Sequence, residues 1–119
     1  MKKILIVDDQ QGIRTLLNEI FLKEGFETVQ AGNGIQAVEL IKEHDIDLML
    51  LDMKLPGLDG MGVLKQVRNI LNKKFPIFMI TAYGEQELIE EALAYEDVKF
   101  FTKPFNIFEL LTQAKNELA

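Results

Sequence analysis

Five short apolar segments punctuate the chain: KILIVD (3–8), ETVQA (27–31), DLMLLD (47–52), PIFMIT (76–81) and VKFFTK (98–103). Four are continuous apolar runs rather than alternating ones, the pattern of parallel strands covered on both faces. ETVQA is more polar, which suits an edge. Between the segments the spacing turns helical. Ile13, Leu16, Leu17, Ile20 and Phe21 fall at i, i+3, i+4, i+7 and i+8, and Gly25 follows as a helix stop. Residues 34–44 and 59–71 carry weaker versions of the same pattern. Leu88, Ile89, Ala92 and Leu93 predict a fourth helix. Ile107, Leu110, Leu111, Ala114 and Leu118 predict a fifth, with Asn106 as its N-cap.

Strand and helix alternate five times, so the pattern predicts an α/β fold with helices on both faces of a parallel sheet. The expected class is a flavodoxin-like, doubly wound (βα)5 sheet of five strands in order 2-1-3-4-5, with five helices. Such sheets bind ligands at the carboxyl ends of strands beside the topological switch point. The residues that end strands therefore become the candidates.

Strand one ends in Asp8-Asp9, strand three in Asp52, strand four in Thr81 and strand five in Lys103. In the 2-1-3-4-5 order strands one and three are neighbours, so three carboxylates would converge beside a hydroxyl and an ammonium. Carboxylates that close need compensation. A hard divalent cation supplies it, and Mg²⁺ takes one or two protein carboxylates together with waters and phosphate oxygens. The set is competent for phosphoryl transfer to an aspartate, with Lys103 and the metal neutralising charge and Thr81 donating a hydrogen bond. Asp52, on a central strand and before a turn, is the best nucleophile. Each residue also has a plainer role. Asp8-Asp9 could cap a helix, Asp52 could open the Pro-Gly turn, Thr81 could be an ordinary strand residue, and Lys103 could be a solvated charge. These roles do not explain why each residue ends a different strand.

Composition narrows the field. The 119 residues fit one domain, expected over 1–119 with no output domain because the chain stops directly after helix five. Cysteine is absent, which removes disulfide and thiolate chemistry. The net charge of −6 argues against direct nucleic-acid binding. The paired lysines Lys2, Lys3, Lys73 and Lys74 suggest solubility only, and His44, in the polar EHDID stretch, is expected to be an exposed loop residue. No segment approaches membrane-spanning length and no signal-peptide core is evident, so a cytoplasmic location is the default. Neither GxGxxG nor GxxxxGK[ST] is present, which removes dinucleotide and P-loop readings. A haloacid-dehalogenase-type phosphatase would want a carboxylate two residues after the nucleophile, where this chain has Lys54.

VDDQ (7–10), LLDMKLPGLDG (50–60), MITAYGE (79–85) and FFTKPF (100–105) together resemble the receiver domains of bacterial two-component response regulators, over the whole chain. The resemblance implies that Asp52 is phosphorylated from a phosphohistidine of a sensor histidine kinase, and that the chain catalyses its own phosphorylation and dephosphorylation. It implies that Mg²⁺, with Mn²⁺ as a substitute, is held by Asp9, Asp52 and the Lys54 backbone carbonyl, with Asp8 acting through water. Thr81, Lys103 and the Ala82 amide would hold the phosphoryl oxygens. It further implies a cis Lys103-Pro104 peptide and a switch pairing Thr81 with Phe100. DDQ-x-GIR (8–14), LLNE (16–19), TAYGE (81–85) and KPF (103–105) resemble the single-domain regulators of the sporulation phosphorelay, which carry histidine where this chain has Phe100. That likeness implies onward transfer to a histidine phosphotransferase by a monomer. A stand-alone chemotaxis-type effector and a receiver cut from a longer transcriptional regulator stay open as alternatives. Docking is expected around the site, through Gln10, Gln11, Gly12, Ile13, Leu16, Tyr83, Gly84, Pro104 and Phe105.

Overall fold

The computed structural model describes residues 1–82 and 86–119. Its strands are β1 (Lys3–Val7), β2 (Glu27–Ala31), β3 (Leu48–Asp52), β4 (Ile77–Thr81) and β5 (Val98–Thr102), and its helices are α1 (Gln11–Lys23), α2 (Gly34–Glu43), α3 (Gly60–Lys65), α4 (Gln86–Ala92) and α5 (Ile107–Leu118). The strands form one parallel sheet in the order β2-β1-β3-β4-β5. This is the doubly wound architecture that the alternating segments predict, and both of the more exposed strands, β2 and β5, are its edges.

The continuous apolar runs are explained by two separate layers. Leu5, Val7, Met49, Leu51, Ile77 and Met79 pack with Ala37, Ile41, Val63, Leu64, Val67 and Ala92 of α2, α3, the turn after it and α4. Their alternate neighbours Ile4, Ile6, Leu48, Leu50, Phe78 and Ile80 pack with Leu17 and Phe21 of α1 and Leu110 and Ala114 of α5. A fully buried phenylalanine such as Phe78 or Phe21 contributes about 3–5 kcal/mol relative to alanine. Every residue of the central strands thus has an apolar layer to enter, whichever face it points to.

Asn106 caps α5 as expected, and Asn33 and Asp59, which were not singled out, cap α2 and α3 in the same way, each accepting the backbone N–H three residues on. Gly25, at φ +89°, turns the chain after α1. Four expectations need correction. The helix expected over 59–71 is α-helical only to Lys65 and then widens into a π-helical turn, Gln66–Ile70. Helix α4 ends at Ala92, leaving Leu93 exposed rather than on its packed face. His44 is not a free loop residue, because it caps the C-terminus of α2, half-buried, with Nδ1 3.1 Å from the Lys3 ammonium. Nor are all the paired lysines mere solubilisers: Lys3 also pairs with Glu27 at 3.5 Å, and Lys73 donates to the Ile41 carbonyl at 2.6 Å. Among the described residues no helix is long and apolar enough to cross a membrane.

Candidate functional site

Strand register brings the acids together. β1 and β3 pair Ile4 with Leu48 through Val7 with Leu51. One residue further on, Asp8 and Asp52 stand side by side at the carboxyl edge, where the crossovers diverge to opposite faces. Both are almost fully buried, at 1% and 6% exposure, as is Thr81 at the end of β4. Asp9, next to Asp8, is exposed. One oxygen from each of Asp8, Asp9 and Asp52 can be chosen so that all lie within 4.8 Å of one another.

Lys103 completes the cluster from the far side of β4. Thr81 pairs with Thr102 in register, and the Lys103 N–H donates to the Thr81 carbonyl at 2.8 Å, which continues the ladder one residue past the strand. From there the ammonium reaches Asp52 Oδ2 at 3.1 Å and Asp8 Oδ2 at 3.3 Å. The following peptide, Lys103-Pro104, is cis. The other oxygen of Asp52 accepts the Lys54 N–H at 3.2 Å, and that of Asp8 accepts the Gln10 N–H at 2.9 Å. Asp8 and Asp9 do not act as the side-chain cap of α1. The N-cap position is Gln10, whose side chain makes no capping bond.

The electrostatics follow from this crowding. Burial raises the Asp52 pKa above its ordinary value; the Lys103 hydrogen bond pulls it down, the Asp8 charge pushes it up, and the net direction is upward. Burial alone would lower the Lys103 pKa, but hydrogen bonds and charge from Asp52 and Asp8 outweigh it and the net shift is upward. The ammonium is therefore firmly charged, while Asp52 still has less compensation than its ionised form needs. An all-oxygen set of this spacing fits a small hard cation, for which two opposite ligands stand about 4.2 Å apart.

The loop after Asp52 is folded tightly back. Gly60 N–H donates to the Met53 carbonyl at 3.0 Å, and a Cβ at Gly60 would lie 2.6 Å from Met53 Cα and 2.7 Å from the Asp52 carbonyl oxygen. Only glycine lets α3 begin this close to the end of β3, so the second half of LLDMKLPGLDG fixes the first. An open groove of about 430 Å³ runs beside the acids, lined by Asp9, Met53, Lys54, Leu55, Pro56, Asp59 and Leu88. Asp59, quoted only within LLDMKLPGLDG, and Leu88, named only as a helix residue, were not site candidates from sequence; nothing in a lone aspartate or a helical leucine marks them as such.

A second, apolar groove of about 460 Å³ adjoins the ammonium, lined by Ile13, Leu16, Lys103, Pro104, Phe105 and Ile107. Four residues expected at a docking face, Ile13, Leu16, Pro104 and Phe105, therefore share one concavity, and Ile107 joins them unforeseen. Gln10, Gln11 and Gly12 are exposed at the start of α1. Tyr83 and Gly84 lie outside the described residues. Phe100 is half-buried against the layer under α2, α3 and α4.

The chain belongs to the response regulator receiver domain family, whose model matches residues 4–115. It is 46% identical to sporulation initiation phosphotransferase F of Bacillus subtilis (strain 168), over 98% of this chain and 94% of that protein. It is 39% identical to chemotaxis protein CheY of the same organism, over 92% of this chain and 91% of the relative. Among solved structures it resembles response regulator TrrA of Thermotoga maritima in complex with Mg²⁺-BeF, with TM-score 0.83 and 35% identity over 98% of both chains.

Proposed function

We propose that this receiver is a phosphorelay intermediate. It accepts a phosphoryl group onto Asp52 from the phosphohistidine of a sensor histidine kinase and passes it to a histidine of a phosphotransferase. The observation that carries the reading is that buried Asp8 and Asp52 each follow the last paired residues of adjacent strands, Val7 and Leu51, with one ammonium on both. The likeness to a sporulation phosphotransferase supports the relay.

In the first step an Asp52 carboxylate oxygen forms a P–O bond as the P–N bond to the kinase histidine breaks, and the electron pair returns to the imidazole nitrogen. The onward step is the reverse, on a different histidine. Lys103, already within reach of Asp52, follows the charge on the transferred oxygens, and the Thr81 hydroxyl and the Ala82 amide donate to the others. Asp9, Asp52 and the Lys54 carbonyl would hold Mg²⁺ or Mn²⁺, with Asp8 acting through water; the bound ion supplies positive charge against the acids and the phosphoryl oxygens. Movement of Thr81 towards the site, with Phe100 repacking behind it, would report the phosphorylated state to a partner.

The partners dock on the apolar groove and the start of α1: Gln10, Gln11, Gly12, Ile13, Leu16, Pro104 and Phe105, with Tyr83 and Gly84 assigned to the same face. The protein works in the cytoplasm as a monomer, and its acidity disfavours nucleic acid. Ile13→Ala is expected to slow transfer from the kinase about tenfold while leaving phosphorylation by acetyl phosphate intact. Equal losses in both assays would assign Ile13 to the fold or the site instead.

The decisive experiment is to phosphorylate the chain with labelled acetyl phosphate and Mg²⁺ and then offer it a histidine phosphotransferase. Label moving to histidine is the expected result. Label retained on Asp52, with tighter binding to another protein, would favour a chemotaxis-type effector, the reading that the likeness to CheY supports. No label on the chain, or label that survives Asp52→Asn, would overturn the assignment.

A further inference from the structure

The proposed chemistry makes no use of Arg14, yet Arg14 holds the acid loop after β1. Each polar group of buried Asp8 has a partner. Its N–H donates to the Ala31 carbonyl at 3.2 Å, and its carboxylate accepts from Gln10 at 2.9 Å and faces Lys103 at 3.3 Å. Its carbonyl accepts from Arg14 Nη1 at 2.7 Å, the shortest contact of the four. That carbonyl belongs to the planar peptide joining Asp8 to Asp9, so holding its oxygen fixes the plane from which Asp9 departs. Asp9 has no such support of its own: among the described residues no hydrogen bond or ion pair holds its exposed carboxylate.

The guanidinium also has a built seat. A Cβ placed on Gly32, just after β2, would lie 3.2 Å from Arg14 Nη1, 3.6 Å from Cζ and 3.9 Å from Nη2. The fork rests over the bare glycine, in a notch that a branched side chain would fill. Residues from α1 and from the β2–α2 turn thus meet at the back of the acid loop.

We propose that Arg14, seated in the Gly32 notch, is a positioning residue for the divalent cation: it sets where Asp8 and Asp9 stand relative to Asp52. The proposal rests on the reading of that cluster as a cation site. It differs in sign from a simple charge effect. A nearby positive charge repels a metal ion, so if Arg14 acted through charge alone, neutralising it would tighten binding. If it acts by holding the loop, neutralising it loosens binding, as removal of outer supports of metal ligands does.

The test is calorimetric titration of Mg²⁺ into the full chain, with thermal melts alongside to confirm that each variant is folded. Arg14→Met, which keeps the aliphatic stem, is expected to weaken Mg²⁺ binding about tenfold or more. Gly32→Val, which leaves the charge but fills the notch, is expected to weaken it too, and the double variant to be no worse than the weaker single one. Unchanged or tighter binding in Arg14→Met overturns the proposal. Should that variant fail to fold, unchanged affinity in Gly32→Val overturns it in the same way. If the folded wild-type chain takes up no Mg²⁺, the cation-site reading itself falls and the proposal with it. If wild type binds, Asp9→Asn does not, and Arg14→Met matches wild type, only the positioning role is lost.

Discussion

Two half-buried cations stand at opposite ends of the sheet, and their partners give them opposite uses. At the carboxyl end Lys103 faces two carboxylates, at 3.1 and 3.3 Å. At the amino end the Arg68 guanidinium donates to three main-chain carbonyls, those of Lys73 at 2.9 Å, Phe75 at 2.7 Å and Glu96 at 3.2 Å, and lies 5.7 Å from the centre of the Phe75 ring. Burial lowers the Arg68 pKa, with Asp97 and Glu96 opposing, whereas the acids around Lys103 carry its pKa upward. Neutral carbonyls bring no negative charge to draw in a metal and no nucleophilic carboxylate to accept a phosphoryl group, so Arg68 serves to tie loops together. Carboxylates bring both, and a flexible ammonium can follow charge that moves. The difference between a staple and the catalytic role proposed for Lys103 lies in the partners rather than in the cation.

The two cations differ most in which measurement their loss would move. Lys103→Met is expected to slow acetyl phosphate labelling of Asp52 by about 10²–10³-fold, the usual loss when a charge-stabilising donor is removed. Arg68→Met, assayed while still folded, is expected to keep the labelling rate within about twofold but to lose about 2–3 kcal/mol in urea unfolding, since three carbonyls lose a charged donor. Comparable rate losses in the two variants would erase the distinction. Because carbonyls do not titrate, the Arg68 deficit should also be the same at pH 6 and pH 8.

The two ends were unequally legible in the sequence. Asp8, Asp52, Thr81 and Lys103 each end an apolar run, and the sheet order then forces them together, so pattern and topology sufficed. Arg68 leaves no such trace, because its partners are backbone oxygens brought near by the loops before β4 and β5. The π-helical turn that carries it has an ordinary helical composition, and five residues are too few to separate its period from an α-helix. His44 was misread for a related reason: its contact with Lys3 spans 41 residues and follows from tertiary packing alone. Arg14 and Gly32 belong to the same class, as a side chain bonded to main chain and a glycine that matters only as empty space. In the apolar groove Ile13 and Leu16 were legible by helical spacing, whereas Ile107 enters only because the chain turns after Pro104.

The smallest expected effect is a pH dependence at Asp52. Burial raises the Asp52 pKa above 3.8 in the folded chain, and the Lys103 bond only partly offsets it. The folded state therefore holds that proton more tightly than the unfolded state. Its contribution to stability is present below the ordinary carboxylate pKa and is lost as pH rises through the folded value. At neutral pH and without metal the ionised carboxylate is a net cost to folding. Asp52→Asn should then melt a few °C above wild type in metal-free buffer at pH 7, and the gap should close on acidification below the ordinary carboxylate range. The sign discriminates: a purely structural Asp52–Lys103 bridge would make the same substitution destabilising at pH 7 and less so in acid. A carboxylate kept at some cost to the fold is what the proposed acceptor role of Asp52 requires, and Arg68, already satisfied by neutral oxygens, has no counterpart to that pH dependence.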